Sequence, residues 1–126
     1  LSTSNSDQLI DEAQIAELTE ALGNDRVGSL LHNFGTEMES SLKQLTDSSQ
    51  SDMSRSEWAE LAGLAHHAAG SAALFGARKL RLELIAFEKK ILSPNELIGN
   101  DEINSLLLTW KQTQPAIRKL FQTISN

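Results

Sequence analysis

The sequence predicts an all-α fold: an antiparallel up-down four-helix bundle with a short extra N-terminal helix. Three observations predict it. Apolar residues recur at intervals of three and four along four long segments. No segment shows the alternation of a half-buried strand. The breaks between segments are short and polar, which favours antiparallel neighbours.

Each element has its own signals. Ile10, Ile15, Leu18 and Leu22 mark the short first helix, with Asp11 as its cap and Gly23 as its stop. Asn24 is read as the cap of the second helix, whose stripe is Val27, Leu30, Leu31, Phe34, Met38, Leu42 and Leu45. Thr46 to Ser56 has no periodicity and reads as a loop. Ser54 with Glu57 forms a capping box for the third helix, which runs through Trp58, Leu61, Ala65, Ala68 and Ala72 to Leu74. Gly76 interrupts the pattern. The fourth helix carries Ala77, Leu80, Leu84, Phe87 and Ile91, and Ser93, Pro94 and Asn95 end it. Asn100 caps the last helix, with Asp101 and Glu102 in its first turn, where the helix dipole favours acids. Its buried face is Ile103, Leu106, Leu107, Trp110, Ile117, Leu120 and Phe121, and Pro115 is expected to kink it.

Composition excludes several classes. With 126 residues, 40% hydrophobic and 22% charged, the chain suits one ordinary globular domain. The expected division is a polar linker over residues 1–8 and the bundle over 9–126. The absence of Cys removes disulfides, thiolate metal sites and cysteine nucleophiles. A net charge of −6 argues against nucleic acid, because phosphate neutralisation needs clustered Lys and Arg. No apolar run is long enough to span a membrane, so no direct membrane contact is expected. The polar start at Leu1 has neither part of a signal peptide and reads as a domain cut from a longer protein.

The third helix holds the unusual surface. With Trp58 at 0°, the core residues fall between about 280° and 340°, His66 near 80° and His67 near 180°, at 100° per residue. Both histidines are therefore expected to be exposed. Around His66 lie Ala62, Gly63, Ala69, Gly70 and Ala73, none with more than a methyl side chain. A solvated helix face ordinarily carries Glu, Lys, Gln or Arg, and each mid-helix glycine costs about 1 kcal/mol relative to alanine. Two glycines beside an exposed imidazole point to a reactive group with docking room around it. A metal site does not fit. His66 and His67 point about 100° apart on a helix and cannot share an ion. His32 lies on another helix, and there is neither Cys nor an H-E-x-x-H motif.

The segment AHHAAGSAALFGARKLRLELIAFE, Ala65 to Glu88, resembles the signature of histidine-containing phosphotransfer (HPt) domains. The family pattern is roughly A-H-x-L-K-G-S-A-x-x-x-G-A-x-x-L, with an acid or amide eight residues later. Ala65, His66, Gly70, Ser71, Ala72, Gly76, Ala77, Leu80 and Glu88 match it. The stretch Leu22 to Phe34, LGNDRVGSLLHNF, is similar to the family's preceding helix start. Two positions depart from the pattern: Ala68 replaces the usual Leu, and Ala69 replaces the usual Lys thought to steady the phosphoryl group.

The resemblance implies a role for each residue. His66 is the phosphoacceptor, and Glu88 holds the imidazole by its second nitrogen. Ala62, Gly63, Ala69, Gly70, Ala73, Arg78 and Lys79 form the face that docks a receiver domain. The missing Lys role passes to Arg78, Lys79 or Arg81, or stays open. The implied function is phosphorelay signalling in a two-component system. A phosphoryl group passes reversibly from one response-regulator aspartate to His66 and on to another. No cofactor is expected on this chain, and the Mg²⁺ belongs to the partner receiver domain. No nucleotide loop is present, so the chain is a carrier without its own ATP site. A cytoplasmic monomer is expected, free-standing or at the end of a hybrid sensor histidine kinase. Two other classes compete: a non-catalytic helical adaptor, and the dimerising phosphoacceptor hairpin of a histidine kinase. The second lacks its usual acid and nearby Pro after the histidine, since His67, Ala68 and Ala69 follow and the next Pro is Pro94.

Overall fold

A computed structural model of the chain describes residues 8–48, 55–93 and 100–125. These form five helices and no strand: α1 (Glu12–Leu22), α2 (Asn24–Ser48), α3 (Arg55–Leu74), α4 (Arg78–Leu92) and α5 (Asn100–Ser125). The four long helices make a ring. Each packs on its neighbours in sequence, and α2 closes the ring against α5. The most intimate pair is α3 with α4.

The short α1 covers one end of the ring. The Asp11 carboxylate accepts from the Gln14 N–H at 3.1 Å, as an N-cap should. Gly23 ends the helix with φ of 87°. Three bonds tie its start to the α3–α4 turn. The Asp11 N–H donates to the Gly76 carbonyl at 2.7 Å and the Lys79 N–H to the Leu9 carbonyl at 3.2 Å. The Gln14 amide donates to the Leu74 carbonyl at 2.9 Å. Gly76 is doubly required there. Its φ is 72°, and a Cβ would stand 2.8 Å from the Asp11 carbonyl oxygen.

The core follows the expected stripes. Phe34 sits at its centre, stacked on Phe75 at 4.7 Å and edge-on to Trp110 at 5.6 Å. From α3 it takes Leu61, Ala65, Ala68 and Ala72, and from α4 Leu80, Leu84 and Phe87.

Several local expectations change. Helix α2 continues through Thr46 to Ser48, where a loop was expected. The Thr46 hydroxyl donates to the Leu42 carbonyl, which lets a polar residue extend a helix. The Asn24 side chain donates across the bundle end to the Ser125 carbonyl at 3.4 Å. On α5, Leu107 is 39% exposed rather than buried, because it lies at the edge of the stripe beside α2. Thr109 and Thr113 are buried in the stripe instead. Thr113 donates to the Thr109 carbonyl at 2.6 Å, and Thr109 donates to Glu83. Satisfied hydroxyls make such burial inexpensive. Helix α5 runs on through Pro115. The Ser54 cap and the Pro94–Asn95 break lie outside the described residues.

Candidate functional site

The site sits on the outer edge of the α3–α4 seam. His66 lies eight residues before the end of α3, and Glu88 ten residues into α4. The turn at Gly76 folds the helices back so that the two come level. His66 Nδ1 lies 3.2 Å from Glu88 Oε1, with the imidazole 78% exposed and the carboxylate 22% exposed. A carboxylate only accepts, so in the neutral ring the proton sits on Nδ1 and Nε2 keeps its lone pair. The arrangement offers a solvent-facing nitrogen nucleophile, held in one tautomer by a carboxylate that is itself largely packed.

The surroundings divide the expected docking residues. Gly63, Gly70 and Ala73 are exposed, and a Cβ at Gly63 or Gly70 would meet nothing within 4 Å. Ala62 and Ala69 are not on that face. They are 4% and 5% exposed and belong to the bundle interior. Helix α4, which brings Glu88 to His66, packs so closely on α3 that the buried arc widens to about 40° on the same wheel. Ala62 and Ala69 fall inside the widened arc, and Ala73 and His66 just beyond it.

The basic residues divide too. Arg81, seven residues before Glu88, lies within about 20° of it around α4, whereas Lys79, nine before, lies about 180° away. Lys79 is exposed on the far side of the helix, so it does not share the face of His66. Arg78 is half-buried at the start of α4 and has interactions of its own. His67 is exposed a quarter-turn or so from His66. His32 lines the α2–α5 side of the bundle.

Two features went unread in the sequence. Leu74 and Leu82 are exposed, 49% and 37%, at the end of α3 and in the second turn of α4. Each falls outside its helix's core stripe, a signal that spacing alone carried. Second, Glu83 on the opposite flank of α4 accepts from Ser105 and Thr109 of α5, and Lys90 pairs with Glu102. These contacts lock α4 to α5 and leave its other flank to α3. Among the described residues, no cluster of three or more metal-ligating side chains occurs. No helix among them is long and apolar enough to cross a membrane.

A helical bundle that presents one carboxylate-oriented imidazole beside bare small residues defines a class: phosphotransfer domains that carry the group on histidine. The chain belongs to this family of histidine-containing phosphotransfer domains, which work in phosphorelay signalling. It is similar to the phosphorelay protein LuxU of Vibrio vulnificus, strains YJ016 and CMCP6. The identity is 32% over 109 residues, which cover 86% of this chain and 91% of the relative. No family model matches the chain. No solved structure matches it.

Proposed function

We propose that His66 is the phosphoacceptor of this phosphorelay domain, and that it exchanges the group with aspartates of response-regulator receiver domains. The observation that carries the reading is the Nδ1–Glu88 contact on an otherwise open imidazole. The Nε2 lone pair attacks the phosphorus of an aspartyl phosphate on the partner. The N–P bond forms as the P–O bond to the carboxylate breaks, and the aspartate leaves as its carboxylate. No proton has to move. Nδ1 keeps its hydrogen, and the ring's new positive charge faces Glu88. The reverse step runs along the same path. Positioning and charge neutralisation dominate such a transfer, and the Mg²⁺ and acceptor aspartate are supplied by the receiver.

The docking face of this reading is Gly63, Gly70 and Ala73 around the imidazole, extended towards the α3–α4 turn by the exposed Leu74 and Leu82. Its bare glycines let a partner's backbone come close to Nε2. Arg78 and Arg81 stand at its α4 side, where an acidic receiver rim would meet them. The relative's name, a phosphorelay protein, supports the same partner class. The domain acts in the cytoplasm as a monomer, alone or joined to a sensor kinase.

Incubation with a phosphorylated receiver domain tests this. Acid-labile label is expected on the protein, lost in His66→Gln and kept in His67→Gln. Label retained in His66→Gln overturns the assignment. An adaptor would bind the receiver and take no label. A kinase hairpin would form a dimer and need a separate ATP-binding domain for its label.

A further inference from the structure

The contact that orients His66 creates an electrostatic problem that neither His66 nor Glu88 solves. A phosphoryl group on Nε2 brings nearly two negative charges to within a ring's width of the Glu88 carboxylate. The Nδ1 proton answers Glu88 itself. The phosphoryl oxygens still need a cation, and Ala69, one turn beyond His66, is buried and has no charge to give.

Helical phase and pairing narrow the choice among the basic residues of the two helices that form the seam. Arg55 of α3 lies eleven residues before His66, about 16 Å along the axis. Lys79 is on the far side of α4. Lys90 is paired with Glu102 on the α5 flank. Arg78 and Arg81 lie ten and seven residues before Glu88, about 15 and 10 Å away. Helical side chains also lean towards the N-terminus. In α4 that direction leads away from His66 for both arginines.

Lys89 is turned about 100° around α4 from Glu88, on the solvent side of the seam, but escapes the handicaps of distance, pairing and lean. It follows Glu88 directly, is exposed, and has no ion-pair partner among the described residues. It lies about 40° around the helix from Ile85 and one turn beyond it. Its stem therefore leans back over the half-buried Ile85. Ile85 is one turn before Glu88, and in the antiparallel α3 the level one turn beyond His66 is that of Gly70. A Cβ at Gly70 meets nothing within 4 Å. The Lys89 stem thus leans towards the level of the open side of Gly70, one turn beyond His66. We infer that Lys89 is the cation that neutralises the phosphoryl group on His66, acting from α4 across the seam. This rests on His66 being the phosphoacceptor.

A small phosphodonor, phosphoramidate, tests Lys89 without any receiver domain. Loading and decay of acid-labile label are followed in wild type, Lys89→Ala, Lys89→Arg and, as a control on α5 away from the seam, Lys111→Ala. Lys89→Ala is expected to load about fivefold more slowly, the scale of one exposed charge pair, and to lose the salt dependence of the rate. Lys89→Arg restores the rate to within about twofold, and Lys111→Ala stays near wild type. Wild-type loading in Lys89→Ala overturns the inference. So does a loss that Lys89→Arg fails to restore, since that would mark a packing effect. Should wild type take no label on His66, the phosphoacceptor reading itself fails, which is a different result from unequal lysine variants.

Discussion

The seams on the two sides of the bundle are built differently. Between α3 and α4, alanines at 62, 65, 69 and 72 bring two helices into the closest packing of the ring. Between α2 and α5, large rings and two glycines leave a cavity of about 300 Å³ lined by Phe34, Trp110, Gln114 and Phe121. The first seam carries His66 and Glu88. Positional precision is concentrated in the first seam. A 3.2 Å contact between two helices survives only if the helices cannot shift against each other. Methyl-sized side chains have no rotamers to rearrange, so an alanine seam fixes the helix spacing. An aromatic seam with a cavity tolerates small adjustments.

Substitutions can break or sharpen this contrast. The largest loss is expected from Phe34→Ala, which removes the ring joining Phe75 and Trp110. About 4 kcal/mol should be lost in a denaturant titration. The part of the population that stays folded should keep the His66 loading rate, because Phe34 belongs to α2 and not to the α3–α4 seam that holds His66 and Glu88. Gly76→Ala comes next, at about 3 kcal/mol, since it combines a left-handed φ with a 2.8 Å approach to the Asp11 carbonyl. It should also release α1, read as faster amide exchange over Glu12–Leu22.

Ala65→Leu probes the tight seam itself. Overpacking a fully buried site beside His66 is expected to cost about 2 kcal/mol and to slow phosphoryl loading through loss of the Glu88 contact. Glu88→Ala isolates that contact. Transfer should fall about tenfold, the scale of one charge-assisted hydrogen bond, with no change in fold by circular dichroism.

The smallest effects separate packing from docking. Gly28→Ala puts a Cβ at ordinary contact distance, 3.5 Å, from the Phe121 ring. Stability should rise by up to about 1 kcal/mol from helix propensity, with unchanged transfer. Gly70→Ala has open space and should stabilise by a similar amount. Its transfer from a receiver should nevertheless slow, while loading from a small donor stays the same. Equal behaviour of the two variants in every assay would remove the distinction between the seams.

Much of the fold was legible in the sequence because helical periodicity is a local signal. The Asp11 cap, the Gly23 stop, the α3 stripe and the break at Gly76 all follow from residue type and spacing. The exposed phase of His66 is legible in the same way. Thr109 and Thr113 could have been read too, since they lie in phase between Leu106 and Ile117, but polar type hid them. The Thr113 hydroxyl is satisfied by the carbonyl four residues back, but Thr109 is satisfied by Glu83 of α4, a partner that spacing along α5 does not name.

The sequence by itself determined the angle of each residue around its own helix. Only the tertiary structure decided which angles are covered. Helix α4 lies close enough to bury Ala62 and Ala69, while α2 stays far enough from α5 to leave Leu107 in solvent. The same placement sets Lys79 on the far side of α4 and brings Glu88 to His66 across 22 residues of chain. Periodicity along one helix carries no information about the direction of its neighbours. That direction comes from how four stripes of unequal side-chain volume fill one core.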